Sequence, residues 1–129
     1  MTWMQEVQKE VKLAKAHDSI SAEADSVNKA LQFLGQSAMH LGGLAQSGNI
    51  PGSMLQATPF LDQFGNVVLA NHALRQARVA LEKGDGSAYY KGKVLNLKFY
   101  VNNILPQSVA LGKQITSKDE SCLDESLFN

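Results

Sequence analysis

Cysteine and proline are scarce in this 129-residue sequence, one and three residues respectively, and neither sign of charge is in excess. The lone cysteine and the balanced charge each remove a class of protein. The one cysteine, Cys122, cannot close an intramolecular disulfide, which excludes a stapled secreted scaffold and fits a reducing compartment. At this length no staple is needed, because a single domain buries roughly two-thirds of its unfolded surface. With 12 Lys plus Arg against 12 Asp plus Glu, the formal charge is zero. No basic field is left to hold a nucleic-acid backbone, and Lys91 with Lys93 reads as a solvated helix face. No apolar run approaches the ~20 residues of a membrane span. The opening Met1-Thr2-Trp3-Met4-Gln5-Glu6 lacks the basic-then-apolar order of a signal peptide. A cytoplasmic protein that binds neither membrane nor nucleic acid is expected.

Alternating strand patterns are missing, whereas apolar residues recur at helical spacing almost everywhere. The first predicted helix runs from about Thr2 to Ala16, with Trp3, Val7, Val11 and Ala14 on one stripe and Glu6, Lys9, Glu10 and Lys12 away from it. The second follows Ile20, Ala24, Val27, Leu31, Leu34, Ala38, Leu41 and Ala45, a period of about 3.5 residues that marks a bundle seam. Gly42-Gly43 and then Ser47 to Gly52 read as its end. The third opens at Thr58-Pro59 and buries Phe60, Phe64, Val67, Leu74, Ala77 and Leu81, widened by Leu61 and Val68. Gly84 to Ser87 is a turn, with Ser87 a cap. The fourth carries Tyr90, Val94, Leu97, Val101, Ile104, Leu111 and Ile115, kinked at Pro106. The fold class expected is all-α, an antiparallel up-down four-helix bundle over residues 1–117, followed by an acidic, partly ordered tail over residues 118–129.

Catalytic chemistry finds little support. A di-iron bundle needs inward Glu residues and Glu-x-x-His pairs, and no Glu-x-x-His occurs. His40 and His72 lie on different predicted helices without carboxylates at ligand spacing. His40-Leu41-Gly42-Gly43 has a faint likeness to a histidine phosphotransfer domain, yet no cation stands near to stabilise a phosphoryl group. The glycines form neither Gly-x-Gly-x-x-Gly nor Gly-x-x-x-x-Gly-Lys. Cys122 is followed by acidic residues, which raise a thiol pKa. Tyr89-Tyr90 straddles a helix face, one ring inward and one outward. No catalytic, cofactor-binding or metal-ligating residue is assigned.

Taken in order, several blocks resemble the C-terminal extension domain of the acyl-CoA dehydrogenase family. They are Ala57 to Val68, Leu74-Arg75-Gln76-Ala77, Tyr89 to Lys93, Lys98-Phe99-Tyr100, Asn103 to Pro106, and the closing Leu123 to Phe128. The likeness spans nearly the whole chain. A departure is Ala70-Asn71, where relatives often carry a bulky aromatic residue. The resemblance implies a parent enzyme that oxidises an acyl-CoA between the α and β carbons and passes a hydride to FAD. It also implies that catalytic and flavin-binding residues belong to an upstream core. The partners implied are that core, in the same chain, the acyl-CoA substrate through it, and further copies in a homo-oligomer. Electron acceptor and acyl chain length stay open. A free-standing helical interaction module is the alternative, with phosphotransfer behind it.

Overall fold

The structure is a computed structural model that describes residues 2–128. Among the described residues it is helical throughout, in six α-helices, and the expected four-helix bundle is thereby corrected. Two local breaks account for the difference. The first follows α2 (Ser21–Gln46), where Gly48 takes a φ of 88° that favours glycine. The Asn49 side chain then accepts from the Gly52 amide and starts a new short helix, α3 (Ile50–Leu55), with Pro51 in its first turn. The second break is Pro106. A single helix, kinked or shifted in axis at Pro106, was expected, but α5 (Ala88–Asn103) ends and α6 (Pro106–Thr116) begins. A proline ring clashes with the carbonyl four residues back, whereas at a first helical position its missing N–H costs nothing. The amides of Ile104 and Leu105 both turn to Tyr100 O, at 2.9 Å each.

Other boundaries follow the sequence closely. Helix α1 (Trp3–Lys15) is capped reciprocally: Thr2 Oγ1 accepts from the Gln5 amide, and the Gln5 side chain accepts from the Thr2 amide. Helix α4 (Ala57–Lys83) begins one residue before Thr58 and ends at Gly84, whose φ of 61° is left-handed. Ser87 caps α5 by accepting from the Tyr90 amide. Gly42 and Gly43 do not end α2, which passes through them to Gln46.

Helices α2 and α4 form a central antiparallel pair. Helix α1 packs on one side of it and α5 with α6 on the other. Directions follow from the contacts. Lys15 pairs with Asp25 at 2.9 Å, so α1 runs against α2. Trp3 stacks on Phe64 and Glu10 meets Arg78, so α1 runs with α4. Tyr100 Oη donates to Asn66 O at 2.9 Å and Gln114 Nε2 to Gln56 Oε1 at 3.2 Å, so α5 and α6 run against α4. One apolar cluster joins Val7, Val27, Leu31, Val67, Leu74 and Leu97 from all three layers. Beyond α6, residues 118–128 are exposed and make two 3-10 turns, Ser121–Leu123 and Ser126–Phe128.

The α2 seam drifts. Ser37 is fully buried and Ala38 exposed, the reverse of the expected pattern, because a straight helix of about 3.6 residues per turn slips past a strict heptad. On α4 the inward line is Gln63, Val67, Ala70, Leu74 and Ala77, while Phe60 and Phe64 flank it and Leu61 is 69% exposed.

Candidate functional site

The residues singled out by sequence do not converge. His40 is half-buried on α2, with Nε2 enclosed and unpartnered, which leaves that nitrogen closed to a phosphoryl donor. His72 is exposed on α4 and Cys122 is exposed in the first 3-10 turn of the tail. Among the described residues no group of three or more His, Cys, Asp or Glu side chains is placed to hold a metal ion. Tyr90 is half-buried and Tyr89 is 67% exposed, as their straddling positions require. Their rings meet edge to face, and Lys93 Nζ lies 5.2 Å from the Tyr89 ring centroid.

A charged cluster between α1 and α4 was not anticipated. Glu10, expected on the outer face of α1, has only 7% of its side chain exposed. Arg78, with 12% exposed, engages both its oxygens: Nε donates to Oε1, and Nη2 donates to Oε2 at 3.1 Å. Arg78 Nη1 also donates to both Glu82 oxygens, at 2.9 and 3.0 Å, one helical turn on. His17 Nε2 lies 3.6 Å from Glu82 and Arg75 Nε 3.8 Å from Glu10. The planar guanidinium is suited to this double fork, which a lysine cannot make. The hydrogen bond to Glu10 raises the Arg78 pKa further above its ordinary value, burial opposes it, and Glu82 adds to the rise. Its charge is therefore constant. Two oppositely charged residues on separate predicted helices carry no sequence signal of contact, since only the tertiary fold brings positions 10 and 78 together.

Polar contacts also pin α5. Lys98 Nζ donates to Ser19 O at 2.8 Å and to Glu23 Oε1 at 2.7 Å, tying α5 to the start of α2. Burial pushes the Tyr100 phenol above its ordinary value, so it remains a donor to Asn66 O in the physiological range. These two residues flank Phe99, which is 59% exposed. The Lys98-Phe99-Tyr100 block thus ties α5 to α2 and α4 and leaves one aromatic ring outward.

Where α2, α4 and α6 meet, the interior is polar. Gln63 is fully buried, and neither its Oε1 nor its Nε2 has a hydrogen-bond partner; the buried Ser37 Oγ has none either. Gly112 makes room for the amide, since a Cβ there would stand 3.0 Å from Gln63 Nε2. An unsatisfied buried polar group costs about 1–3 kcal/mol. Gln63→Met should therefore raise stability by roughly that amount, read as a shift of the urea midpoint at unchanged slope. A loss of stability instead would mean that a buried water partners the amide and is expelled by the thioether.

On the outside, α4 and α6 enclose an open groove of ≈ 540 Å³ lined by Leu61, Gly65, Leu69, Ala110 and Leu111, with Asp62, Asn66, Gln107 and Gln114 at the same groove. Leu61 is 69% and Leu69 57% exposed, large apolar side chains two turns apart on one helix face. An apolar strip bordered by neutral amides and a carboxylate suits packing against another protein surface. Trp3, by contrast, is absorbed internally: it stacks on Phe64 with centroids 4.9 Å apart.

A family model described as Acetyl-CoA dehydrogenase C-terminal like matches residues 3–125 of the chain. No curated protein and no solved structure matches it.

Proposed function

Because the chain belongs to the acetyl-CoA dehydrogenase C-terminal-like family and is a non-catalytic, helical C-terminal domain of an acyl-CoA dehydrogenase, we propose that it works by packing on the dehydrogenase core. Residues 1–117 form the packing unit in this reading, and residues 118–129 are an appendage. The face used is the groove between α4 and α6, where Leu61 and Leu69 stand outward from a helix whose other side is already filled. That exposure is the observation that carries the reading. Burying the strip supports the core, contributes to contacts between protomers of a homo-oligomer and limits access to the acyl end of the substrate pocket.

The parent enzyme is proposed to be a cytoplasmic FAD-dependent oxidoreductase of fatty-acid metabolism that removes hydrogen from the α and β carbons of an acyl-CoA. FAD supplies the hydride acceptor when bound. The side chains of this domain do not fit it. A charged cleft between α1 and α4 presents Glu6 and Glu10 beside Lys9, Arg75 and Arg78, and Arg78 is already engaged by two carboxylates. A pyrophosphate there would have to compete with Glu10 and Glu82 for Arg78 and would meet the further carboxylate of Glu6. No step of the reaction is assigned to this domain. Among the described residues, no helix is long and apolar enough to cross a membrane.

The test is complementation. A core lacking this domain should gain thermal stability or activity when the 129-residue chain is added in trans, by mass action on the bound form. At about 100 times Kd the gain is about 2.7 kcal/mol. Leu61→Asp with Leu69→Asp should abolish the gain and leave the helicity of the domain intact. If the wild-type chain changes neither melting temperature nor activity, the proposal fails.

A further inference from the structure

A second apolar surface lies far from the α4–α6 groove, at the turn between α4 and α5. Leu81, Tyr90, Val94 and Leu95 line a cleft of ≈ 490 Å³ there, with Gly84 and Lys91. Leu95 is 66% exposed. An adjoining cleft shares Tyr90 and adds Arg75, Val79, Tyr89 and Lys93. No carboxylate lines either cleft, and Asp85 in the turn is occupied by the Ser87 amide at 2.8 Å. The surface is therefore apolar with a basic margin.

The segment after α6 has the complementary character. It carries Asp119, Glu120, Asp124 and Glu125 against a lone Lys118, with Leu127 91% and Phe128 87% exposed. The Ser126 amide donates to Asp124 Oδ1 at 2.9 Å, closing a turn that keeps this carboxylate next to the two apolar side chains. That hydrogen bond also holds Asp124 below its ordinary pKa and therefore charged.

The observed anchor holds the segment toward the opposite end of α4 from the cleft of its own chain. Glu120 Oε1 accepts from Asn49 Nδ2 at 2.7 Å, which anchors it near the start of α4. From there to Phe128 an extended chain spans at most about 28 Å. The cleft lies around Leu81, some 25 residues along α4 from Gln56, or about 37 Å of helix.

We propose that residues 118–128 dock on a second copy of this chain, with Leu127 and Phe128 in the α4–α5 cleft and Asp124 and Glu125 against Lys91 and Lys93. The contact is heterologous, so two copies close a dimer by exchanging segments or extend head to tail. No dehydrogenase core is needed, so this proposal and the core-packing reading fail separately.

Sedimentation of the isolated 129-residue chain tests it. The wild type should self-associate at low salt, and raising salt to about 0.5 M should weaken association on the order of tenfold, as expected for a partly exposed charged margin. Two double variants, Leu127→Asp with Phe128→Asp and Lys91→Glu with Lys93→Glu, should each be monomeric with unchanged far-ultraviolet circular dichroism. Mixed together they should associate one to one, because each keeps the half that the other lost. A monomeric wild type, a variant that associates like wild type, or a mixture that stays monomeric would each overturn the proposal.

Discussion

Arg78→Ala should lower the unfolding free energy by about 3–5 kcal/mol, the cost of leaving a buried carboxylate without its partner. Glu10 is the residue left behind, with 7% of its side chain exposed, both of its hydrogen bonds from Arg78 lost and only the more distant Arg75 Nε, at 3.8 Å, remaining. The loss is measured by urea unfolding, with two-state behaviour checked by coincidence of probes. The double replacement Glu10→Met with Arg78→Leu should recover most of it, since well-packed apolar residues often match or exceed a buried pair. Recovery would show that the single variant reports an orphaned charge and not a net attraction. Acid titration adds an independent sign. Arg78 donates to Glu82 and lowers its pKa from 4.5. A carboxylate depressed in the folded state stabilises above its unfolded pKa and loses that effect as pH falls through the folded value. The wild type should thus lose stability below about pH 4.5 more steeply than Arg78→Ala, in which Glu82 has no such donor.

Leu74→Ala should cost about 2–5 kcal/mol, the range for truncating a buried leucine when its surroundings collapse only partly. Leu74 is fully buried on the central helix α4 and belongs to the cluster that joins α1, α2 and α5. Leu61→Ala, on the same helix but 69% exposed, should stay within about 0.5 kcal/mol in the isolated domain. The two leucines differ by 13 positions, which is more than three and a half turns and places them on different faces. Urea midpoints of the two variants, compared at equal slope, separate a core position from a docking position. A large loss at Leu61 would move that residue into the core and remove the basis for the α4–α6 docking face.

Much of the secondary structure was legible locally. Ser87 was expected to cap a helix and does, and the turn expected from Gly84 to Ser87 lies between α4 and α5. Val7, Val11, Val27, Leu31, Leu34, Val67, Leu74, Ala77, Leu97 and Val101 were assigned to buried faces and are buried. Pro106 was read as a kink, and whether a proline bends a helix or separates two depends on how the backbone groups around it pair. Here Ile104 and Leu105 share one carbonyl, and the chain restarts as α6. The short α3 was missed because Asn49, Pro51 and Gly52, three residues that usually end helices, here cap and open one.

For a candidate site, local spacing offered little. The resemblance of five internal blocks and a closing segment was enough to point to the family, since residue order is a property of the chain alone. Glu10 looked like a solvated residue because a helix period computed on α1 cannot include Arg78, 68 positions away. Gln63 was not among the inward positions expected on the third helix, yet Phe60 and Phe64 turn to the flank, where Phe64 meets Trp3, and the amide takes the seam. Composition and periodicity dictated helices, their caps and most inward positions, because these depend on neighbours within a few residues. Which flank α1 occupies, how many helices the breaks produce, which charge is buried and which apolar strips stay outside were settled only when helices packed. Packing couples residues by distance in space, and burial is a property of that arrangement.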